Sequence, residues 1–264
     1  FGVELDIETE VIVTLGSKEG LANLASAISA PGDVVLVPNP SYPIHPYGFV
    51  IAGANVCPVR VGDGLDLMAE IKSAAMRVSP RPKALVLNFP NNPTGAVVDL
   101  EFYSEVVEFA RSIGMYILSD IAYAEIYFDG QPPPSILQVP GAMDIAVEFS
   151  SVSKTYSMPG WRVGFGAGNK DLIGALARIK SYLDYGAFTP IQVAASAALN
   201  GPQECVEAIR NRYRERRDVL IDSFAASGWE IPVPRATMFV WAPVPAAFKA
   251  LGSLQFSKIL LEEA

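Results

Sequence analysis

Apolar residues fall along this chain in two alternating rhythms. Short continuous apolar runs at 11–15, 34–37, 55–59, 84–87, 115–119, 145–149 and 163–167 read as buried strands. Between them the period lengthens to a helical one. Leu21, Leu24, Ala25 and Ile28 share one face of a helix over 17–28, and related spacing predicts helices over 47–52, 65–78, 100–113, 172–183 and 193–199. Strands that are apolar throughout and separated by helices predict an α/β fold. The sheet is mostly parallel and helices cover both faces, giving an α/β/α domain three layers deep. In such a sheet, ligands bind beyond the carboxyl ends of the strands.

The pattern changes after residue 200. Residues 201–228 carry dense alternating charge with apolar positions at helical spacing, which predicts one long, partly exposed helix ended by Gly228. The run TMFVWAPV (237–244) predicts a strand of another layer. The expected organisation is a large ligand-binding domain over 1–200. An interdomain helix and the incomplete beginning of a small α+β C-terminal domain follow over 201–264. The chain opens on FGVELD and stops at FSKILLEEA, so it reads as a fragment of a longer protein lacking segments at both ends.

Composition removes several classes of function. The 264 residues are 50% hydrophobic and carry a formal net charge of −8, the wrong sign for a phosphate backbone or an anionic membrane surface. Apolar runs are interrupted early. LANLASAISA meets Pro31, Gly32 and Asp33, and no run is long enough to span a bilayer. No nucleic-acid partner, membrane partner or targeting segment is expected. Cys57 and Cys205 offer neither a disulfide framework nor metal spacing, which favours a reducing, cytoplasmic setting. The single histidine, His45, argues against a histidine metal site or a Ser/His/Asp triad.

Four stretches at strand ends carry candidate chemistry. In TLGSKEG, Ser17 and Lys18 open a helix where free N–H groups favour an anion, although taken alone the stretch reads first as an ordinary capping serine and a solvated lysine. NFPNNPTG (88–95) is a turn made rigid by Pro90, Pro93 and Gly95, leaving Asn91 and Asn92 at the sheet edge as ligand groups or as turn residues. In SDIAYAEIYF, Asp120 ends a buried strand, where a carboxylate demands a partner. That partner is either a helix N-terminus or arginine of the protein, or a cationic ring nitrogen of a ligand.

The fourth stretch is SVSKTYSMPGWRVGFGAG (151–168), which sets Lys154 and Arg162 among small and apolar residues. Ser151-x-x-Lys154 also fits the S-x-x-K pattern of acyl transferases, but no S-D-N occurs to complete it. GFGAG falls inside a strand rather than at a strand-to-helix turn, which disfavours a dinucleotide site. One ligand would use all four stretches. Pyridoxal 5′-phosphate needs an amine for a Schiff base, a carboxylate against its ring nitrogen, donors for its phenolate oxygen and a basic, hydroxyl-lined cup for its phosphate.

NNPTG, SDIAY and SVSKTYSMPGWRVG, in this order, make the chain similar throughout to the fold-type I, class I/II pyridoxal-phosphate aminotransferases. VPNPSYPIHPYGFVIAGA, LARIKSYLDYGAFTPIQVAA and RERRDVL most resemble the bacterial glutamate–pyruvate (alanine) transaminases, with LL-diaminopimelate and aspartate aminotransferases as neighbours. The resemblance implies a homodimer with the transferase fold of that family. It implies Lys154 as the Schiff-base lysine and Asp120 as partner of the ring nitrogen. Asn92 and Tyr123 would hold the phenolate oxygen, and Tyr42 would stack on the ring. Ser17, Lys18, Ser151, Ser153 and Arg162 would bind phosphate, and Thr189 would reach the phosphate of a neighbouring subunit. The substrate-carboxylate arginine of the family falls outside this chain. A lyase using the same cofactor, or a ligand-sensing domain of a transcription regulator, are the competing readings.

Overall fold

A computed structural model describes residues 1–62, 64–128 and 130–263. Seven strands form one sheet: β1 (Val11–Thr14), β2 (Val34–Asn39), β3 (Asn55–Arg60), β4 (Ala84–Asn88), β5 (Tyr116–Asp120), β6 (Ala146–Ser151) and β7 (Gly164–Gly168). Their order across the sheet is β1-β7-β6-β5-β4-β2-β3. The pairs β2–β3, β2–β4, β4–β5 and β5–β6 are parallel, and β7 alone runs against both its neighbours. The parallel register sets Asn88, the last residue of β4, opposite Asp120, the last of β5.

Helices cover both faces, as the continuous apolar strands require. On one face α1 (Ser17–Ile28), α2 (Ile44–Ile51) and α6 (Lys170–Leu183) bury Leu21, Leu24, Phe49 and Leu176 against Val35, Val86, Leu118 and Phe149. On the other, α3 (Leu67–Arg77) and α4 (Leu100–Ile113) bury Ile71, Tyr103 and Val106 against Leu36, Leu85 and Ile117. The helix ends follow local chemistry. Asp66, Asp99 and Asn169 cap α3, α4 and α6, and Gly114 ends α4 in the left-handed region at φ 71°.

Between β6 and β7 lies α5 (Val152–Thr155), a single turn that the apolar pattern is too short to reveal. Ser151 caps it, so the S-x-x-K serine does open a helix. After β7 and α6 come α7 (Thr189–Asn200), α8 (Glu204–Ala226) and α9 (Gly252–Glu263). The long helix α8 buries only Val206, in keeping with its charge pattern.

The strand expected at TMFVWAPV does not form. Among the described residues this stretch has one isolated bridge beside it, Tyr127 with Ala236, and no ladder partner. Thr237 at φ 71° breaks the extended run at its first residue. Aromatic and β-branched composition fits a strand only where a second strand satisfies its backbone. Phe239 instead turns inward and meets Tyr123, ring centroids 5.4 Å apart.

Candidate active site

The four candidate stretches converge. Ser17 and Lys18, Asn92, Asp120 and Tyr123, and Ser151, Ser153, Lys154 and Arg162 all line one cavity of about 360 Å³, together with Tyr42. It lies at the carboxyl ends of β4, β5 and β6, where the sheet rule places a ligand. Of the eleven expected residues, Thr189 alone is absent from this wall; it is exposed as the first residue of α7. A roomier cavity of about 610 Å³ collects Asp99, Gln131 and Arg235 beside three prolines. Asp99 is already spent there on capping α4.

One end of the smaller cavity is built for an anion. Gly16, at φ 87°, is the N-cap of α1, and no side chain caps the helix. Ser17 is therefore the first helical residue rather than the cap. The first-turn N–H groups and the positive end of the helix dipole remain available to a ligand. Arg162, itself at φ 55°, reaches across and donates to the carbonyls of Leu15 (3.1 Å) and Pro159 (2.8 Å). A Cβ on Gly16 would stand 2.4 Å from Nη2 of Arg162. Ser151 Oγ lies 2.9 Å from Ser153 Oγ and 3.0 Å from the carbonyl of Val163. Gly164 explains the small residues of β7. A Cβ there would meet Ser17 N at 2.7 Å and Ser150 O at 2.6 Å, so the strand can pass this close only as glycine.

The other end holds one carboxylate under tight control. Asp120 is buried, its Oδ1 accepts from the N–H of Ala122 at 3.0 Å, and its Oδ2 is 3.1 Å from Nε2 of His45. A carboxylate only accepts, so His45 donates here. The protein-side partner is thus neither an arginine nor a helix end but the single histidine, buried at the start of α2. Asn88 donates to the carbonyl of Asp120 at 2.8 Å and accepts from the N–H of Asn92 at 2.8 Å, joining the ends of β4 and β5 to the turn. Asn91, offered as an edge residue, turns back instead: its Oδ1 accepts from the N–H and the hydroxyl of Thr94, so it builds the turn.

Lys154 Nζ lies 6.0 Å from the centre of the Tyr123 ring, and Lys18 Nζ 5.7 Å from that of Tyr42. Burial, and then the charge of Asp120 and the nearby Tyr42, push the Tyr123 phenol up to about 12, against the pull of Asn92. Tyr123 therefore stays protonated at neutral pH and can donate to a developing oxyanion.

His45, Asn88 and Phe239 are site residues that sequence reasoning missed. Asn88 did carry a signal, since it ends the strand leading into NNPTG. His45 is separated from Asp120 by 75 positions, and only the fold joins them.

The chain matches the family Aminotransferase class I and II over residues 1–264. It belongs to that family. The glutamate-pyruvate aminotransferase AlaC of Escherichia coli is 54% identical over all 264 residues, which span 64% of that protein. An LL-diaminopimelate aminotransferase of Desulforudis audaxviator is 48% identical over the whole chain and 67% of its own length. The apo structure of BacF from Bacillus subtilis superposes with a TM-score of 0.90 at 36% identity, covering 100% of this chain and 67% of that one. The chain thus spans just under two thirds of the length of two curated relatives it matches, 65% and 64%.

Proposed function

We propose that this cavity binds pyridoxal 5′-phosphate and that the protein transfers an amino group from L-alanine to 2-oxoglutarate. The observation that carries the reading is the convergence of Lys154, Asp120, Asn92 with Tyr123, and a Ser/Lys/Arg anion cradle in one cavity. The donor set fits the cofactor. Ser17, Lys18, Ser151, Ser153 and Arg162 would hold the phosphate, Arg162 with its fork of donors. Asp120 would keep a proton on the ring nitrogen, and Asn92 and Tyr123 would donate to the ring oxygen. Tyr42 would cover one face. When bound, the cofactor supplies an electron sink for a carbanion. Lys154 would contribute the primary amine that holds the cofactor and that moves a proton at the substrate Cα.

Alanine as donor is supported by the 54% identity to AlaC; the 48% identity to an LL-diaminopimelate aminotransferase supports the second reading, LL-diaminopimelate as donor. We further read the protein as a cytoplasmic homodimer. Tyr182, Leu183, Tyr185, Phe188 and Val193 are all more than 60% exposed around Thr189, an apolar patch suited to a second copy. No helix among the described residues is long and apolar enough to cross a membrane. Residues 1–200 would form the cofactor domain, and α8 would lead from it into a second one.

Borohydride reduction after loading with pyridoxal 5′-phosphate tests the cofactor reading. Trapped cofactor mass on the Lys154 peptide, abolished in Lys154→Ala, is expected; equal labelling of the variant overturns it. A donor panel of alanine, aspartate and LL-diaminopimelate on the whole protein tests the substrate. Ammonia release without a keto-acid acceptor would point to a lyase instead.

A further inference from the structure

Adjoining the anion cradle in the chain, but not among the residues lining the cavity, lies a second set of charges that the reaction does not use. Lys180 in α6 is buried, its ammonium 3.0 Å from Oε1 of Glu19 and 2.6 Å from Oδ2 of Asp184. Glu19 sits in the first turn of α1, directly after Lys18, but does not line the cavity. Its Oε2 accepts from the N–H of Leu15 at 2.7 Å, and its Oε1 also accepts from Asn23. The peptide groups of Leu15 are therefore gripped from both sides, the N–H by Glu19 and the carbonyl by Arg162 at 3.1 Å. This residue starts the turn that delivers Gly16, Ser17 and Lys18.

The sign of the charge matters as much as the grip. A carboxylate one residue from the cradle opposes any anion bound there. Lys180, shared with Asp184, offsets part of that charge while leaving Glu19 free to hold Leu15. Asp184 is the far anchor. Burial works against its charge, but Lys180 and the N–H of Gly186 outweigh it and hold the group below the usual carboxylate range.

We infer that Lys180 and Glu19 are a positioning pair: Glu19 sets the β1–α1 turn, and Lys180 offsets its charge so that the turn can accept a phosphate. The inference rests on reading the cradle as the phosphate end of the cofactor site. Binding of three probes to the 264-residue chain separates the two: pyridoxal 5′-phosphate, pyridoxal without phosphate, and inorganic phosphate as competitor. Lys180→Met is expected to raise the Kd for pyridoxal 5′-phosphate about ten-fold while changing that for pyridoxal less than about two-fold. The charge-balanced double variant, Lys180→Met with Glu19→Gln, keeps an acceptor for Leu15 and is expected to recover most of the loss. Misfolding or a purely structural role would weaken both pyridoxal forms alike and make the double variant no better than the single. Either result overturns the pair's role. Wild-type protein on which inorganic phosphate does not compete would overturn the phosphate reading itself and the pair with it.

Discussion

Two glycine-to-alanine substitutions should move stability in opposite directions, because the space around each differs. At Gly164 an added Cβ would stand 2.6 Å from Ser150 O, 2.7 Å from Ser17 N and 2.9 Å from the carbonyl carbon of Gly16. Ordinary contact begins at 3.4 Å, so β7 must part from β6 and the β1–α1 turn by roughly 0.5–0.8 Å. All three neighbours are backbone atoms, so no side chain can rotate out of the way. Overpacking of this kind costs about 2–3 kcal/mol, a fall in Tm of roughly 4–6 °C for a chain of this size. The displaced atoms belong to the cradle, so affinity for pyridoxal 5′-phosphate should fall as well. At Gly174, inside α6, nothing lies within 4 Å of the added methyl and the backbone is already helical. Alanine there should stabilise by about 0.5–1 kcal/mol through the unfolded chain, with cofactor affinity unchanged. Urea unfolding and cofactor titration of both variants check the pair. Equal shifts in the two, or a Gly164→Ala protein that binds the cofactor like wild type, would refute the close-approach argument.

Two further predictions concern buried acids. Burial pushes Glu148 up to about 7 against its bonds from Ser135, Ile136 and Ser119, with Asp120 adding to the rise. Its folded-state pKa lies above the unfolded one, so its contribution is complete below about pH 4.5 and is lost as pH rises through 7, roughly 3 kcal/mol in all. Glu148→Gln should flatten the fall in unfolding free energy between about pH 5 and pH 8; parallel profiles for variant and wild type would contradict it. His45→Leu leaves Oδ2 of Asp120 buried without its partner and should cost about 1–3 kcal/mol. The deficit should shrink in thermal unfolding with saturating pyridoxal 5′-phosphate, whose ring nitrogen would give Asp120 a new partner. A deficit indifferent to cofactor would argue that Asp120 does not face the ring.

What was legible in the sequence, and what was not, follows from the range of each physical demand. The helices at Ser17–Ile28 and Leu100–Ile113 match the reading residue for residue because their apolar faces repeat over three or more turns. The strands were found to within a few residues for the same reason, being continuous apolar runs. The failures share one cause. TMFVWAPV has strand composition, but a strand is a relation between two segments, and Tyr127 with Ala236 is the only bridge described beside it. Asp120 announced that it needed a partner without revealing which. Its need is a local property of a buried carboxylate, whereas the supply came from His45 on a helix that the chain order places before two further strands. Lys180 is the sharper case. Within α6 it looks like a last-turn lysine of an amphipathic helix, a solvated position by its pattern. Burial beside Glu19 ties it to the residue that holds the β1–α1 turn. A residue's chemistry can thus be read from its neighbours in sequence when the ligand is the partner, as for Lys154. When the partner is another side chain far along the chain, only the packing of α1 against α6 assigns it.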